Sequence, residues 1–542
     1  MAHPEKHVNE THTAVDHHGE SSGDVLSVIG RVTTAQAQQD EPRRSEVFEV
    51  MSIAASRAPS LSNTKRNVIV SLVVCANLIG FVSMFSTVVG GFEFSRLLGR
   101  PVGPGQANWI AAAYSLTQSG FVLISGRLGD VYGHQWMLLA GGTILVIFSL
   151  TNAFCNTYES FVTARALTGI GGGIVMPNAV ATLTVMIPPG TARNVTLAIF
   201  AASPPFGAMV GALFTGLFIE KAEWKWLFIF IALLGTLFYV SLFFIMPREG
   251  PVDKGGKIDF IGAFLGLSCL VLFSFTWNQA PSVGWDTPYI IVTLILSLAL
   301  GGGFVLWENR FTNDPILPMG IFKAPSFGAL IFVVLVTYMG FSISTFYMVA
   351  WQQIIRGWGV MQVSLGWLPF VFGTTFAVGL AAWLIPRLEA QWIMAFGIVS
   401  TVISDLLLAT QPEQQTYWAQ TFPAVLFGSL CPDFIFVAGQ VIASSSVKKS
   451  QQGVAGSLVG TLNLYGNSLG LGFAGTIESQ LHKSGAGTVL GYRAALYFGA
   501  ALAAAALAMD IAFVRMPKNN QEGWIEESET DEEVHVPPRD MA

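Results

Sequence analysis

Long apolar runs recur along the whole chain, and they constrain its fold more than any other feature. A helix rises 1.5 Å per residue, so roughly 20 apolar residues cross the ~30 Å hydrocarbon core of a bilayer. Fourteen runs approach or exceed this length: 67–89, 107–126, 136–155, 160–187, 195–219, 226–246, 259–279, 288–307, 327–350, 361–385, 391–410, 418–446, 453–476 and 493–515. They are too long for barrel strands and lack the alternation of a barrel. The sequence therefore predicts an all-α protein of fourteen transmembrane helices embedded in a lipid bilayer.

Composition agrees with a membrane protein and excludes several other classes. The chain is 52% hydrophobic and 11% charged, whereas soluble domains are about a quarter charged. It has no basic patch with interleaved aromatic residues, so we expect no nucleic-acid partner. The four cysteines are scattered singly, which predicts unpaired thiols: Cys75, Cys155, Cys269 and Cys431. We expect no metal site and no cofactor.

Polar segments flank the apolar runs. Residues 1–64 hold five of the eight histidines, and 517–542 are acidic. Both predict disordered tails, although the histidines also allow a metal-binding tail. Lys and Arg are more frequent in the connectors on the side of the N-terminal tail, as at Lys65, Arg66 and Arg127. The positive-inside rule then places both termini in the cytosol.

The connector "GRLGDVYGH", between the second and third runs, carries three glycines and a charge pair. Gly126, Gly129 and Gly133 allow a close approach to neighbouring backbone. Asp130 can place its carboxylate against the positive N-terminus of another helix. Any tight polar turn uses such residues, so the plain alternative is a structural turn.

Three short motifs carry a resemblance to the major facilitator superfamily. The loop pattern of Gly126, Leu128, Asp130 and Gly133 resembles the signature between the second and third helices of that superfamily. "RALTG" at 165–169 resembles its fourth-helix arginine motif, and "SPPFGAMVGA" at 203–212 resembles the fifth-helix motif of its antiporters.

Further stretches narrow the resemblance. The number of apolar runs, fourteen rather than twelve, resembles the drug:proton antiporter-2 group of that superfamily. Two stretches resemble the fungal aminotriazole-resistance-type transporters of this group: "WNQAPSVGWDTPYI" at 277–290 and the segment 451–478. The similarity covers about residues 65–516. It implies a six-helix bundle at 65–247, two linking helices at 248–310 and a second six-helix bundle at 311–516. The connectors "GRLGDVYGHQW" and "WLIPRLEAQWI" are a weak internal repeat in accord with two halves.

The resemblance also implies roles for particular residues. Arg165 would couple protons or substrate, while snorkelling to the surface is its simpler alternative. The implied gating loop comprises Gly126, Arg127, Asp130 and Gly133, with Asp130 docked near Gln452 and Gly453 at the start of the thirteenth helix. The implied contact between the halves comprises Ser203, Pro204, Pro205, Gly207 and Gly211.

The chain departs from the family pattern in several places. Val131 stands where the loop usually has arginine, and His134 and Gln135 stand where the loop usually ends in basic residues. The first helix lacks the aspartate of many group members, and Ser203 stands where the fifth-helix motif has its first glycine. The complete charge relay of the family is therefore not assumed.

Intramembrane carboxyl groups are the natural proton carriers. Asp433 lies mid-span after Pro432 and is the first candidate, with a hydrogen-bonded structural role as its alternative. Asp405 and Asp510 lie nearer span ends, which predicts interfacial or paired side chains. Other polar residues within spans either line a substrate cavity or join helices by hydrogen bonds: Gln118, Asn178, Gln440, Asn463 and Asn467.

Together these features predict a monomeric transporter that works by alternating access and has no enzyme activity, since no catalytic constellation is present. The expected function is efflux of a small drug-, toxin- or metabolite-like compound, driven by a proton gradient. Uptake of a small nutrient or ion such as ammonium or borate is the alternative, and a non-transporting membrane sensor is a third. The expected location is the plasma membrane, with the vacuolar membrane as the alternative.

Overall fold

The computed structural model of the protein describes residues 62–515, apart from 101–105, 188–190, 249, 252, 254, 313–314 and 448–450. The predicted tails therefore lie outside the described residues, except for 62–64. There the Ser62 hydroxyl accepts a hydrogen bond from the Lys65 amide and caps the first helix.

The described part of the chain is all-α and contains fourteen long helices. These are α1 Asn63–Leu97, α2 Gln106–Tyr132, α3 His134–Phe154, α4 Tyr158–Met186, α5 Thr191–Lys221, α6 Lys225–Ile245, α7 Phe260–Val283, α8 Pro288–Arg310, α9 Phe327–Ile355, α10 Val360–Leu384, α11 Ala390–Thr410, α12 Thr421–Ser446, α13 Gln452–Lys483 and α14 Thr488–Phe513. The last turn of α9 is a π-helix, Trp351–Ile355, and α10 is broken at Trp367, just before Pro369.

Twelve of these helices are long and apolar enough to cross a membrane by length and composition, and α2 and α13 are the two that are not. Both are rich in small and polar residues, and they pack against each other. Because their neighbours are protein rather than lipid, they need less apolar side chains. The chain is a multi-pass membrane protein.

The pairs of helices that pack together in α1–α6 recur in α9–α14, where every helix number is higher by eight. In the N-bundle, α1–α6, the main pairs are α1 with α5, α2 with α4, and α3 with α4 and α6. In the C-bundle, α9–α14, the pairs are α9 with α13, α10 with α12, and α11 with α12 and α14. The two bundles thus share one packing scheme.

Glycines bring α5 against α1. A Cβ atom added to Gly207 would lie 2.8 Å from the carbonyl oxygen of Leu78, and one added to Gly211 would lie 2.5 Å from that of Val82. Because the two glycines are four residues apart, they lie on one face of α5. The backbone of α5 is not covered by side chains there and contacts α1 directly, as at small residues between membrane helices.

The same device joins α13 to α9 in the C-bundle. A Cβ atom added to Gly466 would lie 2.7 Å from the Leu335 carbonyl oxygen, and one added to Gly470 would lie 2.5 Å from that of Met339. This correspondence is a clearer internal repeat than the two connectors noted in the sequence.

Helix α7 packs on both α13 and α2, whereas α8 packs mainly on α7 and is largely exposed. The Asn278 amide donates to the Ser468 carbonyl oxygen at 3.1 Å, and the Trp277 ring stacks on Phe473 with centroids 3.8 Å apart. The stretch 277–290 therefore fixes α7 to the C-bundle.

Short connectors make successive helices antiparallel, so odd-numbered helices all begin at one end of the protein. We call this the proximal end and the opposite one the distal end. At the distal end Gln353 of α9 donates to the Val89 carbonyl oxygen of α1 at 2.7 Å, and Ser364 of α10 donates to the Ala212 carbonyl oxygen of α5 at 2.6 Å. We call this junction between the bundles the distal seam; in this structure it is closed.

The close contact of α5 with α1 generates a stability prediction. We expect Gly211→Ala to lower the free energy of unfolding by about 1–3 kcal/mol, because the new methyl group would overlap backbone that cannot move away easily. Gly379→Ala in α10 is the matched control, since nothing lies within 4 Å of its added Cβ atom. Thermal unfolding of the purified proteins in detergent measures both, and equal stabilities would contradict the packing described.

Candidate functional site

Arg165 of α4 lies in the interior of the N-bundle. Its side chain is 0% exposed, and its two terminal nitrogens donate to the Ser83 hydroxyl at 2.8 Å and the Ser83 carbonyl oxygen at 2.9 Å. The guanidinium lies over the Tyr114 ring, 4.9 Å from its centroid. Arg165 therefore points to α1 and α2 and does not snorkel to the surface.

Within the described residues no carboxylate forms an ion pair with Arg165. Its neighbours are the Ser83 oxygens and the ring faces of Tyr114 and Phe228, which stabilise a cation through their quadrupoles. Its Nε atom is buried without a hydrogen-bond partner. The side chain is therefore a buried positive charge held by neutral groups.

Asp433 lies in the middle of α12, where Pro432 interrupts the helical hydrogen bonds. The Pro432 carbonyl oxygen accepts a hydrogen bond from the Tyr338 hydroxyl of α9 at 2.7 Å. The Asp433 side chain is partly exposed, but its Oδ2 atom is buried without a partner. Asp433 thus has the surroundings expected of a carboxyl group that binds a proton.

Asp405 of α11 contradicts the prediction of an interfacial or paired side chain. It is 0% exposed, and neither carboxyl oxygen makes a well-formed hydrogen bond, although the Ser344 hydroxyl of α9 lies beside it. A Cβ atom added to Gly499 of α14 would lie 3.1 Å from Asp405 Oδ2. Asp510 of α14 is also buried. Position along a span did not reveal these environments, because they depend on which face of the helix meets its neighbours.

The loop between α2 and α3 is fixed by close contacts. Gly133 has a φ of +99°, which a residue with a side chain rarely adopts, and a Cβ atom on Gly129 would collide with the side chains of Asn178 and His134. His134 Nδ1 lies 2.9 Å from Asn178 Oδ1, and His134 Nε2 lies 3.3 Å from an Asp130 carboxylate oxygen. The Asn178 side chain therefore helps to fix this loop.

Arg127 ties the same loop to the connector between α6 and α7. It forms an ion pair with Asp253 at 2.8 Å and donates to the Lys257 carbonyl oxygen at 3.2 Å. Gly126 faces α13, since a Cβ atom there would lie 3.9 Å from Ser457 Oγ. The docking of Asp130 near Gln452 and Gly453 stays a prediction.

The fifth-helix motif lies mostly within the N-bundle. Pro204 and Pro205 sit inside α5, and the Ser203 hydroxyl accepts a hydrogen bond from the Asn77 amide of α1 at 2.8 Å. Gly207 and Gly211 also face α1, so Ser203, Gly207 and Gly211 pack within the N-bundle. The same helix contacts α10 of the C-bundle, as at Ala212 in the distal seam, and the implied contact between the halves through Pro204 and Pro205 stays a prediction.

The remaining polar candidates divide into two groups. Gln440 donates to the Gly456 carbonyl oxygen at 3.0 Å, and Gln118 is buried beside α4 with its Oε1 atom unpaired. Asn463 and Asn467 are partly exposed on one face of α13, and their amides are 3.4 Å apart. A substrate cavity lined by Asn463 and Asn467 stays a prediction.

Sequence reasoning missed Glu478, the only acidic residue of α13. Its Oε2 atom accepts a hydrogen bond from the Tyr347 hydroxyl at 2.7 Å, and the side chain is buried. The available signal was an acidic residue in a glycine-rich membrane helix, inside a stretch singled out for its family resemblance.

Two membrane bundles with one packing scheme, a buried arginine and unpaired buried carboxyl groups are the architecture of a membrane transporter. No group of residues that could hold a metal ion occurs in the part of the chain that the structure describes. The Major Facilitator Superfamily profile matches residues 68–471, and the chain belongs to that superfamily.

Fungal relatives agree with this family. The chain is 33% identical to the low affinity ammonium transporter of Saccharomyces cerevisiae over 73% of this chain and 79% of the relative. It is 31% identical to the aminotriazole resistance protein of the same yeast, over 74% and 75%. It is 32% identical to the efflux pump terJ of Aspergillus terreus, over 75% and 80%. The predicted fungal-like membership is confirmed.

Among solved structures, the POT family transporter PepTSo matches 81% of this chain and 97% of its own, with a TM-score of 0.62 at 14% identity. This likeness shows the fold alone. Relatives and fold together make the chain a small-molecule transporter embedded in the membrane and not an enzyme.

Ser83 provides a test of the Arg165 site. We expect Ser83→Val to destabilise the protein by roughly 1.5–3 kcal/mol, because the buried guanidinium loses a charged hydrogen bond. Ser83→Thr keeps the hydroxyl and should retain most of the stability. Thermal unfolding in detergent measures the difference; if both variants unfold like the native protein, the Ser83 hydroxyl does not hold Arg165.

Proposed function

We propose that the protein exports a small drug-, toxin- or metabolite-like compound in exchange for protons, by alternating access. The observation that carries the proposal is Asp433, a carboxyl group with one unpaired buried oxygen on a partly exposed face of α12. A carboxyl group placed in this way can exist with or without a proton as its access to water changes. The name of the relative terJ supports the direction of transport.

In the proposed cycle, substrate enters a cavity that opens at the proximal end while the distal seam is closed. Asn463 and Asn467 contribute polar contacts there, and Arg165 supplies a fixed positive charge. A proton on Asp433 and the bound substrate compete for stabilising contacts, so the two move in opposite directions. Such a competition couples them without any covalent step.

Uptake of ammonium or borate remains the second candidate function. Its support is the relative named as a low affinity ammonium transporter, which is as similar to this chain as the efflux pump is. Cells that lack the protein would accumulate more toxin if it exports, and would take up less ammonium or borate if it imports.

The proposed setting is the plasma membrane, with both termini in the cytosol, so that the proximal end faces inward. The vacuolar membrane is the alternative location, and the proposed unit is the monomer.

Purified protein in proteoliposomes tests the function directly. Flux of toxins, azoles, ammonium and borate would be measured with and without an imposed pH gradient. Export requires that a gradient drive a compound against its own concentration difference. Flux of ammonium or borate that ignores the gradient would favour the facilitator.

Asp433→Asn should reduce proton-driven flux to the level of protein-free liposomes, because an amide cannot carry the proton. Asp510→Asn in α14 is the matched control and should transport as the native protein does. Equal thermal stability of the two variants would establish that both fold. Gradient-driven flux that survives in Asp433→Asn would remove Asp433 from the coupling mechanism.

Asp130→Ala should slow the interconversion of the two states rather than weaken substrate binding. We expect the maximal flux to fall by about tenfold while the half-saturating concentration changes by less than about twofold. Asp286→Ala, in the exposed connector between α7 and α8, is the control. A change in half-saturation alone would place Asp130 in substrate binding.

A further inference from the structure

Glu478 has no part in the proposed coupling through Asp433, yet it is a buried carboxyl group at the distal end. Its side chain is 7% exposed. Its one short hydrogen bond comes from the neutral Tyr347 hydroxyl of α9, at 2.7 Å.

The groups that face Glu478 from the packed helices are all uncharged. Helix α9 contributes Tyr347 and α14 contributes Tyr492, whose ring packs edge-on against that of Tyr347 at 5.3 Å. Helix α2 contributes Asn108, whose side chain lies beside Tyr347 rather than against Glu478 itself. Helix α7 contributes the Pro281 carbonyl oxygen, which is bound by the adjacent Ser479.

Nearby cations are directed elsewhere. Arg493 of α14 donates to the Gln411 carbonyl oxygen at 3.0 Å and lies over the Trp351 ring. His482 and Lys483 follow on α13 itself and are exposed. Among the described residues no cation forms an ion pair with Glu478.

This cluster spans the junction of the two bundles. Asn108 belongs to the N-bundle, yet its amide lies beside Tyr347 and 3.4 Å from the Leu471 carbonyl oxygen of α13. A Cβ atom added to Gly475 would lie 2.7 Å from Asn108 Nδ2. The contact of α2 with α9 and α13 therefore continues the distal seam.

Closure of the distal seam disfavours ionisation of Glu478, and ionisation of Glu478 disfavours closure. A buried carboxylate without a cation is strongly unfavourable, whereas a neutral carboxylic acid next to a hydroxyl is tolerated. When α2 separates from α9 and α13, water reaches Glu478 and stabilises the carboxylate. A proton bound at Glu478 thus belongs to the closed seam and an ionised Glu478 to the open one.

We propose that Glu478 is a second proton-binding site, separate from Asp433, whose protonation closes the distal seam through Tyr347 and Asn108. An acidic medium at the distal side would then favour closure even when no substrate is present. The inference does not depend on the proposed direction of transport or on coupling at Asp433, because it concerns the accessibility of the seam and not flux.

A reporter cysteine in the distal seam tests this inference. Cys75, Cys155, Cys269 and Cys431 would be replaced by serine, and Ser364→Cys would be added, since Ser364 is buried in the seam against Ala212. Labelling by a soluble maleimide would be followed on the full-length protein in detergent, from about pH 5.5 to about pH 8.5.

Each rate would be divided by that of Glu308→Gln in the same background, which removes the pH dependence of the thiol reaction. Glu308 is a matched control because it is 6% exposed and lies in α8, away from the seam. With Glu478→Gln, a permanent mimic of the protonated acid, we expect a ratio near one at low pH that falls roughly tenfold as the pH rises. Tyr347→Phe should raise labelling at low pH and keep the pH dependence.

Two results would overturn the proposal. A ratio for Glu478→Gln that stays constant with pH would show that Glu478 does not respond to pH. Faster labelling of Glu478→Gln than of the control at low pH would make the carboxyl group a purely structural acceptor. Neither result bears on Asp433, and loss of flux in Asp433→Asn would leave the seam measurement unchanged.

Discussion

The close backbone contact between helices at paired glycines is the interaction on which the rest of this structure depends. Lipid tails are as apolar as leucine, so helices in a bilayer gain little from burying apolar surface against each other and associate through close packing and hydrogen bonds. Gly207 and Gly211 provide that contact for α5 on α1, and Gly466 and Gly470 provide it for α13 on α9. These contacts fix the register of α1 and α9, which in turn carry Ser83 towards Arg165 and Tyr347 towards Glu478.

Polar side chains inside the bundles follow from this tight packing. Most of them find a nearby carbonyl or hydroxyl group, as Asn278 does on Ser468, and so act as specific joints between helices. Asp405, Asp433 and Asp510 of the C-bundle are exceptions, because each keeps a buried carboxyl oxygen without a well-formed hydrogen bond. An unpaired acid deep in a membrane bundle weakens the fold, so each of the three costs stability.

The fold was within reach of sequence reasoning, whereas the site was only partly so. Fourteen helices could be predicted because apolar runs of bilayer length have few other solutions. For Arg165 the cost of a charge within a span favoured a partner inside the protein, but the sequence alone left snorkelling to the surface open. The sequence could not distinguish Asp405 from an interfacial residue or identify Glu478. The surroundings of these two side chains depend on the rotation of each helix about its axis and on side chains from helices distant in the chain. It also could not show that Gly207 and Gly211 face α1, since a glycine pair indicates a close contact but not its partner.

Buried contacts hold the loop between α2 and α3 more strongly than its ion pair does. The ion pair of Arg127 with Asp253 has side chains that are 35% and 43% exposed, so it contributes at most about 1 kcal/mol. The buried contacts of Gly129 with His134 and Asn178 cannot be altered without moving α4 relative to α2, which costs more. Where the family usually has basic residues, this chain has Val131 and Gln135, and His134 instead links Asp130 to Asn178. The loop therefore joins α2, α3 and α4 through buried contacts, and its ion pair adds only a weak tie to the α6–α7 connector.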